Sequence, residues 1–237
     1  MKTQRRILLV VGAALLAFAG LVVLAEFLLG GLVGSLVVPV VVVAAIAGYL
    51  GLIRPWQHRW GATADEVARL MPGDGILGPG ASSTTRSITI DAPACQVWPW
   101  LAQIGYGRAG WYSYDWLDND GQRSAEHIQP EWQHLRSGDR ILMMPGAGFD
   151  VAEVEAGHYF TAQAPDQTMS WCLAVEPRDD RSCRVISRWR ADWHITPASA
   201  AWIALSDPGT FIMERRMLLG IKARAEHTAR PGLAQRH

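Results

Sequence analysis

The sequence predicts an α+β domain carried behind a pair of membrane-spanning helices. Two long apolar runs open the chain, a series of short segments with period-two alternation occupies its middle, and one apolar helical stripe closes it. That order, with a strand and a helix ahead of the meander, places an antiparallel sheet beside a long C-terminal helix.

Ile7 to Ala25 run without a charge, and Phe27 to Ile53 run longer; each covers the roughly 20 residues a hydrocarbon core requires. The expected spans are about 7–25 and 35–53, forming a hairpin over 1–54. Glu26, Gly30, Gly31, Gly34 and Ser35 supply the expected turn, and Pro39 is tolerable within a span. Lys2, Arg5 and Arg6 precede the first run, whereas Arg54 and Arg59 follow the second. Cations on both flanks place both ends, and the domain beyond them, on the cytoplasmic side of a cell membrane crossed twice. Trp56 and Trp60 sit where interfacial anchors belong. The alternative is a cleaved signal peptide ending near Val23-Leu24-Ala25; the second run would still deliver the domain to the cytoplasmic side.

The formal net charge is zero, so no basic field draws in nucleic acid. Three cysteines without a CxxC spacing, Cys95, Cys172 and Cys183, argue against a disulfide framework and a zinc site. Pairing Trp171, Leu173 and Val175 with Cys183, Val185 and Trp189 on one face leaves Cys172 on the other. All eleven tryptophans lie beyond residue 54, a supply of indoles suited to a Trp-rich core, an apolar pocket or a surface on headgroups.

Within the domain, Thr63 with Glu66 three residues on predicts a capped helix over 63–70. Ile88 and Ile90 mark a first strand over 86–91. Asp91 is the expected cap of a helix carrying Val97, Leu101 and Ile104, bent by Pro99 and ended by Gly105. Short helical turns are expected near Asp115 and Ser124, and strands over 140–144, 149–155, 158–164, 168–176 and 183–193. Asp207-Pro208 predicts the start of the last helix, whose stripe is Phe211, Met217, Leu218, Ile221 and Ala225.

Gly105-Tyr106-Gly107-Arg108-Ala109-Gly110 spells GxGxxG but follows a helix instead of a strand, so it reads as a turn. Asp118, Asp120 and Gly121 fail as a calcium loop, because Trp116 and His127 stand where carboxylates are needed. His127 and His134 are separated by Pro130 and lack a carboxylate partner, and neither a metal nor a cofactor is expected. Asp115, Glu131 and Glu214 stand out as carboxylates among apolar neighbours. They serve either as polar anchors in a pocket or as partners of arginines such as Arg108 or Arg215.

Several segments together resemble the START-like (SRPBCC) superfamily of helix-grip proteins, in a membrane-tethered bacterial subgroup of unassigned function. They are Ile88-Thr89-Ile90-Asp91-Ala92-Pro93 through Trp98-Pro99-Trp100-Leu101, Tyr112-Ser113-Tyr114-Asp115-Trp116, Pro130-Glu131-Trp132-Gln133 with Gly138-Asp139, and Glu214 to Lys222. The resemblance implies a curved antiparallel sheet gripping the last helix over 85–228 and a cavity that relatives use for apolar molecules, while the residues themselves read as a connector over 55–84 and a disordered tail over 229–237. On that expectation Trp111, Tyr112, Tyr114, Asp115, Glu131, Trp132 and Glu214 line a site for a hydrophobic small molecule or lipid reached from the bilayer. Two alternatives stand beside it: a cyclase or dehydratase using Asp115, Glu131 or His127 as acid or base, and a structural or regulatory protein whose cavity is filled by its own side chains.

Overall fold

The computed structural model describes residues 31–192 and 197–229, together with scattered helical positions between 9 and 28. Part of the expected first span, Glu26 and Gly30 of the expected turn, Trp193 at the end of the last expected strand, and residues 230–237 lie outside the described residues. The chain divides into two compact units, Met1–Gln57 and His58–His237.

In the first unit, α1 runs over Gly31–Gly48 and continues through a π-helical turn, Tyr49–Ile53, into α2, Arg54–His58. Gly31, Gly34 and Ser35 are helical where a turn was expected. The surrounding apolar residues support a continuous helix in spite of glycine's backbone entropy. Pro39 lies inside α1. The stretch Val37–His58 is one helix long and apolar enough to cross a membrane, and Tyr49 Oη donates to Gln57 Oε1 at 3.2 Å along it.

The second unit holds a short helix α3, Ala64–Ala68, then β1, Ser82–Ile90, and α4, Ala94–Ala102. A one-turn helix α5, Asp115–Asp118, precedes the meander β2 (Arg140–Met144), β3 (Ala147–Glu155), β4 (Tyr159–Gln163), β5 (Met169–Asp179) and β6 (Ser182–Ala191). Helix α6, Pro197–Ala229, ends the fold. The six strands form one antiparallel sheet in the order β1-β6-β5-β4-β3-β2. In the β5–β6 register Trp171 faces Trp189, Val175 faces Val185, and Cys172 faces Arg188. The apolar residues therefore share one face, as the odd-to-odd pairing requires, and the three cysteines are free.

The core lies between that inner face and the helices. Ile90, Phe160, Leu173, Val185 and Cys183 from the sheet meet Val97 and Leu101 of α4 and Leu218, Ile221 and Ala225 of α6, all fully buried. Gly220 permits a close approach of α6 to the backbone of Tyr112. A Cβ there would fall within the van der Waals envelope of the Tyr112 carbonyl oxygen, so Gly220→Ala is expected to lower the thermal midpoint of the purified chain through overpacking.

Some boundaries differ from expectation. β1 begins at Ser82, since the alternation extends through Thr84 and Arg86, so the connector ends at Ala81. The cap of α4 is Pro93; the Asp91 backbone N–H instead donates to Glu226 Oε1 at 2.9 Å. No helical turn forms at Ser124, whose side chain is engaged by Asp115. Helix α6 starts at Pro197 and encloses Pro208 and Ala229. The apolar run 198–205 extends the helix ahead of Asp207-Pro208, and it too starts on a proline, a residue suited to the first helical turn.

The outer face of the sheet is mixed, with arginines around a small apolar cluster of Cys172, Ala174 and Ile186 that packs on Met71, and it binds the connector. Thr63 and Glu66 form the expected capping box. Arg184, Arg188 and Arg190 alternate along β6 and reach outward. Arg184 Nε and Nη2 grip both Glu66 oxygens at 2.8 and 2.7 Å. Arg188 Nη1 donates to Asp74 Oδ2 at 2.7 Å and to the Arg69 carbonyl at 2.8 Å. Arg190 Nη2 donates to the Gly78 carbonyl at 3.0 Å. Carbonyls and carboxylates of this segment are thus satisfied by three guanidiniums, which makes residues 61–78 an integral layer of the domain. Arg188→Met is expected to cost about 2–3 kcal/mol in unfolding free energy, since its charged hydrogen bonds are lost in a buried setting.

Acid loosens the same clamp. Burial raises the Glu66 carboxyl, but bonds from Arg184, the Thr63 N–H and Ser87 outweigh it and hold the group below the ordinary 4.5. A lowered folded-state value means the stabilisation is present above that ordinary range and is lost as pH falls through the folded value. The unfolding midpoint should drop less on acidification in Glu66→Gln than in the wild type.

Candidate functional site

The alternation that puts Ile88 and Ile90 on the inner face of β1 puts Arg86 there too. Its guanidinium meets the carboxylate of Glu214 on α6, with side chains only 4% and 9% exposed. Phe211, one turn earlier on α6, lies 5.4 Å from the guanidinium carbon. Among the described residues, Glu214 Oε1 is buried without a hydrogen-bond partner. An acceptor with ionic character left unsatisfied in such surroundings is costly and attracts a donor.

An aromatic column stands beside this pair. Arg86 is paired across the sheet with Ser187, whose Oγ accepts from Trp171 Nε1 at 2.9 Å. Trp171 stacks on Trp189 at 4.9 Å and 6°, while Phe160, Trp111 and Phe149 close around the two indoles at 5.0–6.0 Å. Trp171 is fully buried and Trp189 only partly so, which marks the Trp189 end as the more open end of the column. Nearby on β1, Thr84 Oγ1 lies 3.3 Å from His58 Nδ1, and His58 Nε2 lies 3.2 Å from Asp207 Oδ2.

The residues expected at the site separate into three places. Trp111 and Glu214 face the interior. Tyr112 is a buried structural pivot at φ 55°; its hydroxyl accepts from Gln103 Nε2 at 2.9 Å and donates to the Trp100 carbonyl at 3.2 Å. Arg224 lies over its ring at 4.7 Å, and burial pushes the phenol well above its usual range. Asp115 accepts from the Ser124 hydroxyl and backbone N–H at 2.5 and 3.0 Å. The Tyr114 N–H donates to Asp118 Oδ2 at 3.3 Å. These three build the loop. Glu131 and Trp132 line an outer pocket of about 270 Å³ with Arg108, His134, Asp139 and Arg140. Glu131 is exposed, contrary to its apolar sequence surroundings, because the 3₁₀ turn Pro130–Trp132 lies at the surface. Trp132 packs under Arg108 at 4.7 Å. Glu214 is ion-paired, but with Arg86 in place of Arg108 or Arg215.

Arg86, Trp171 and Trp189 are the functional candidates that residue-by-residue reading missed. Arg86 had a signal in the sequence: a cation on the same strand face as two isoleucines. The meeting of Arg86 with Glu214 had none, since they are distant in the chain and no local pattern links them.

The thiols divide by burial. Cys172 and Cys183 are each pushed up to about 12 by desolvation, and Cys95 is exposed. Iodoacetamide at pH 8 is expected to add one label to the folded chain and three after denaturation, as read by intact mass.

A strand and a helix, a five-stranded meander returning beside the first strand, and a long helix packed on the inner face together settle the architecture. The domain has a helix-grip fold. No family model matches the chain, and no curated protein matches it. Similar solved structures include a Thermobifida fusca protein at 20% identity and TM-score 0.40, covering 61% of this chain and 93% of the other. A polyketide cyclase-like protein from Corynebacterium glutamicum gives 18% identity and TM-score 0.32, covering 68% and 100%. The Aha1 protein from Colwellia psychrerythraea gives 16% and 0.35, covering 61% and 96%.

Proposed function

We propose that this START-like domain is a membrane-anchored binding module for an apolar molecule that ends in a hydrogen-bond donor such as a hydroxyl. The observation that carries this reading is Glu214 Oε1, a buried acceptor without a partner among the described residues, beside an aromatic column. The apolar body of the ligand lies against Trp189, Trp171 and Phe211. Its donor satisfies Glu214, whose other oxygen stays on Arg86. Anchoring is by the apolar helix Val37–His58, with Arg54 and Arg59 on the cytoplasmic side.

No convergence supports acid–base catalysis: Asp115 is committed to Ser124, and Glu131 opens on the outer pocket that His127 does not line. The competing reading is a domain whose interior is filled by its own side chains, favoured by the tight stack of Trp171 and Trp189. Organic extraction of the purified full chain, followed by mass analysis, separates the two. One apolar, donor-bearing species in stoichiometric amount is expected; an extract containing only the bulk lipid mixture contradicts the binding module.

A further inference from the structure

Residue His58 both ends the apolar helix and opens the second unit. Its imidazole is held by Asp207 of α6 and Thr84 of β1. Two residues on, the Trp60 ring meets Phe211 edge-on at 6.4 Å, and the Arg215 guanidinium covers it at 5.1 Å. The chain that leaves the apolar helix is therefore bound at once to α6 between Asp207 and Arg215. Over Ser206 to Leu219 the exposed positions of α6 are Gly209, Thr210, Ile212, Arg215 and Arg216. None is a carboxylate: Asp207 is engaged by His58, and Glu214 is buried. Arg59 is exposed as well, and Ile212 is a large aliphatic side chain at 51% exposure.

We propose that Arg59, Ile212, Arg215 and Arg216 form a docking face for the anionic headgroups of the bilayer that the apolar helix enters. The guanidiniums match lipid phosphates in charge and geometry, and their long stems allow Ile212 to sit at the headgroup boundary. Binding of this face would hold the Trp189 end of the fold in a defined relation to the lipid from which an apolar ligand partitions. The inference rests on the reading of Val37–His58 as a membrane anchor.

The test uses the full chain with Cys95→Ser and Ile212→Cys, labelled with a polarity-sensitive fluorophore. It is reconstituted into nanodiscs of phosphatidylcholine alone or with phosphatidylglycerol added. A blue shift in the anionic discs is expected, reduced by Arg216→Glu, abolished by Arg215→Glu with Arg216→Glu, and retained in Arg216→Lys. Equal emission in both discs, or a shift that survives the double reversal, overturns the docking face. Alkaline extraction of the same chain from vesicles reports separately on the anchor. A chain that stays in the membrane without a blue shift refutes docking alone, and a chain that is released refutes the anchor and the docking with it.

Discussion

Replacing Trp171 with alanine lowers the unfolding free energy by about 3–5 kcal/mol, the usual cost of removing a large buried aromatic. Trp171 is 1% exposed, and it contacts Trp189, Phe160 and Trp111 within 6.0 Å. Its indole N–H also holds Ser187 at 2.9 Å, so the substitution opens a void and leaves a buried hydroxyl without its donor. A domain of ordinary stability, about 5–15 kcal/mol, would lose a large part of its margin. Chemical denaturation of the full chain in micelles, followed by tryptophan emission, measures the loss. Trp116, 53% exposed, provides the contrast, because Trp116→Ala should change the midpoint little.

Arg86→Met should cost as much, about 3–5 kcal/mol, for an electrostatic reason: it leaves the Glu214 carboxylate buried with neither oxygen compensated. The paired substitution Arg86→Met with Glu214→Leu should recover most of that loss or exceed the wild type, because the desolvation of both charges is removed with them. If stability were the only role of the pair, nothing would be lost by this exchange. On the binding account, the double variant is well folded yet unable to hold its ligand. Denaturation midpoints of the wild type, the two single variants and the double variant close the thermodynamic cycle.

Much of the fold was readable because its elements carry local periodicity. The strands expected over 140–144, 168–176 and 183–193 form as Arg140–Met144, Met169–Asp179 and Ser182–Ala191, and the outward placement of Cys172 and the stripe through Leu218, Ile221 and Ala225 likewise follow from side-chain spacing. Local signals misled where two of them competed. Asp207-Pro208 is a sound helix start in isolation, yet the apolar segment before it carried α6 back to Pro197. Asp91 has the chemistry of a cap, but Pro93 occupies that position and the Asp91 N–H is drawn to Glu226.

The site was less legible, since it is made by pairings across the sheet and between sheet and helix. Asp115 and Glu131 were conspicuous through their aromatic neighbours, but such neighbours do not report depth. Glu131 lies at the surface, and Asp115 anchors a loop. Arg184, Arg188 and Arg190 mark the polar face of β6 by simple alternation. Their targets, carbonyls of residues 61–78, have no sequence signature because backbone acceptors are common to every residue.

The most direct test of the account is native mass spectrometry of the full chain released from micelles, comparing the wild type with the Arg86→Met, Glu214→Leu double variant. The account predicts a stoichiometric apolar adduct on the wild type and a bare but folded double variant. A wild type without an adduct, or an adduct retained in full by the double variant, would contradict it.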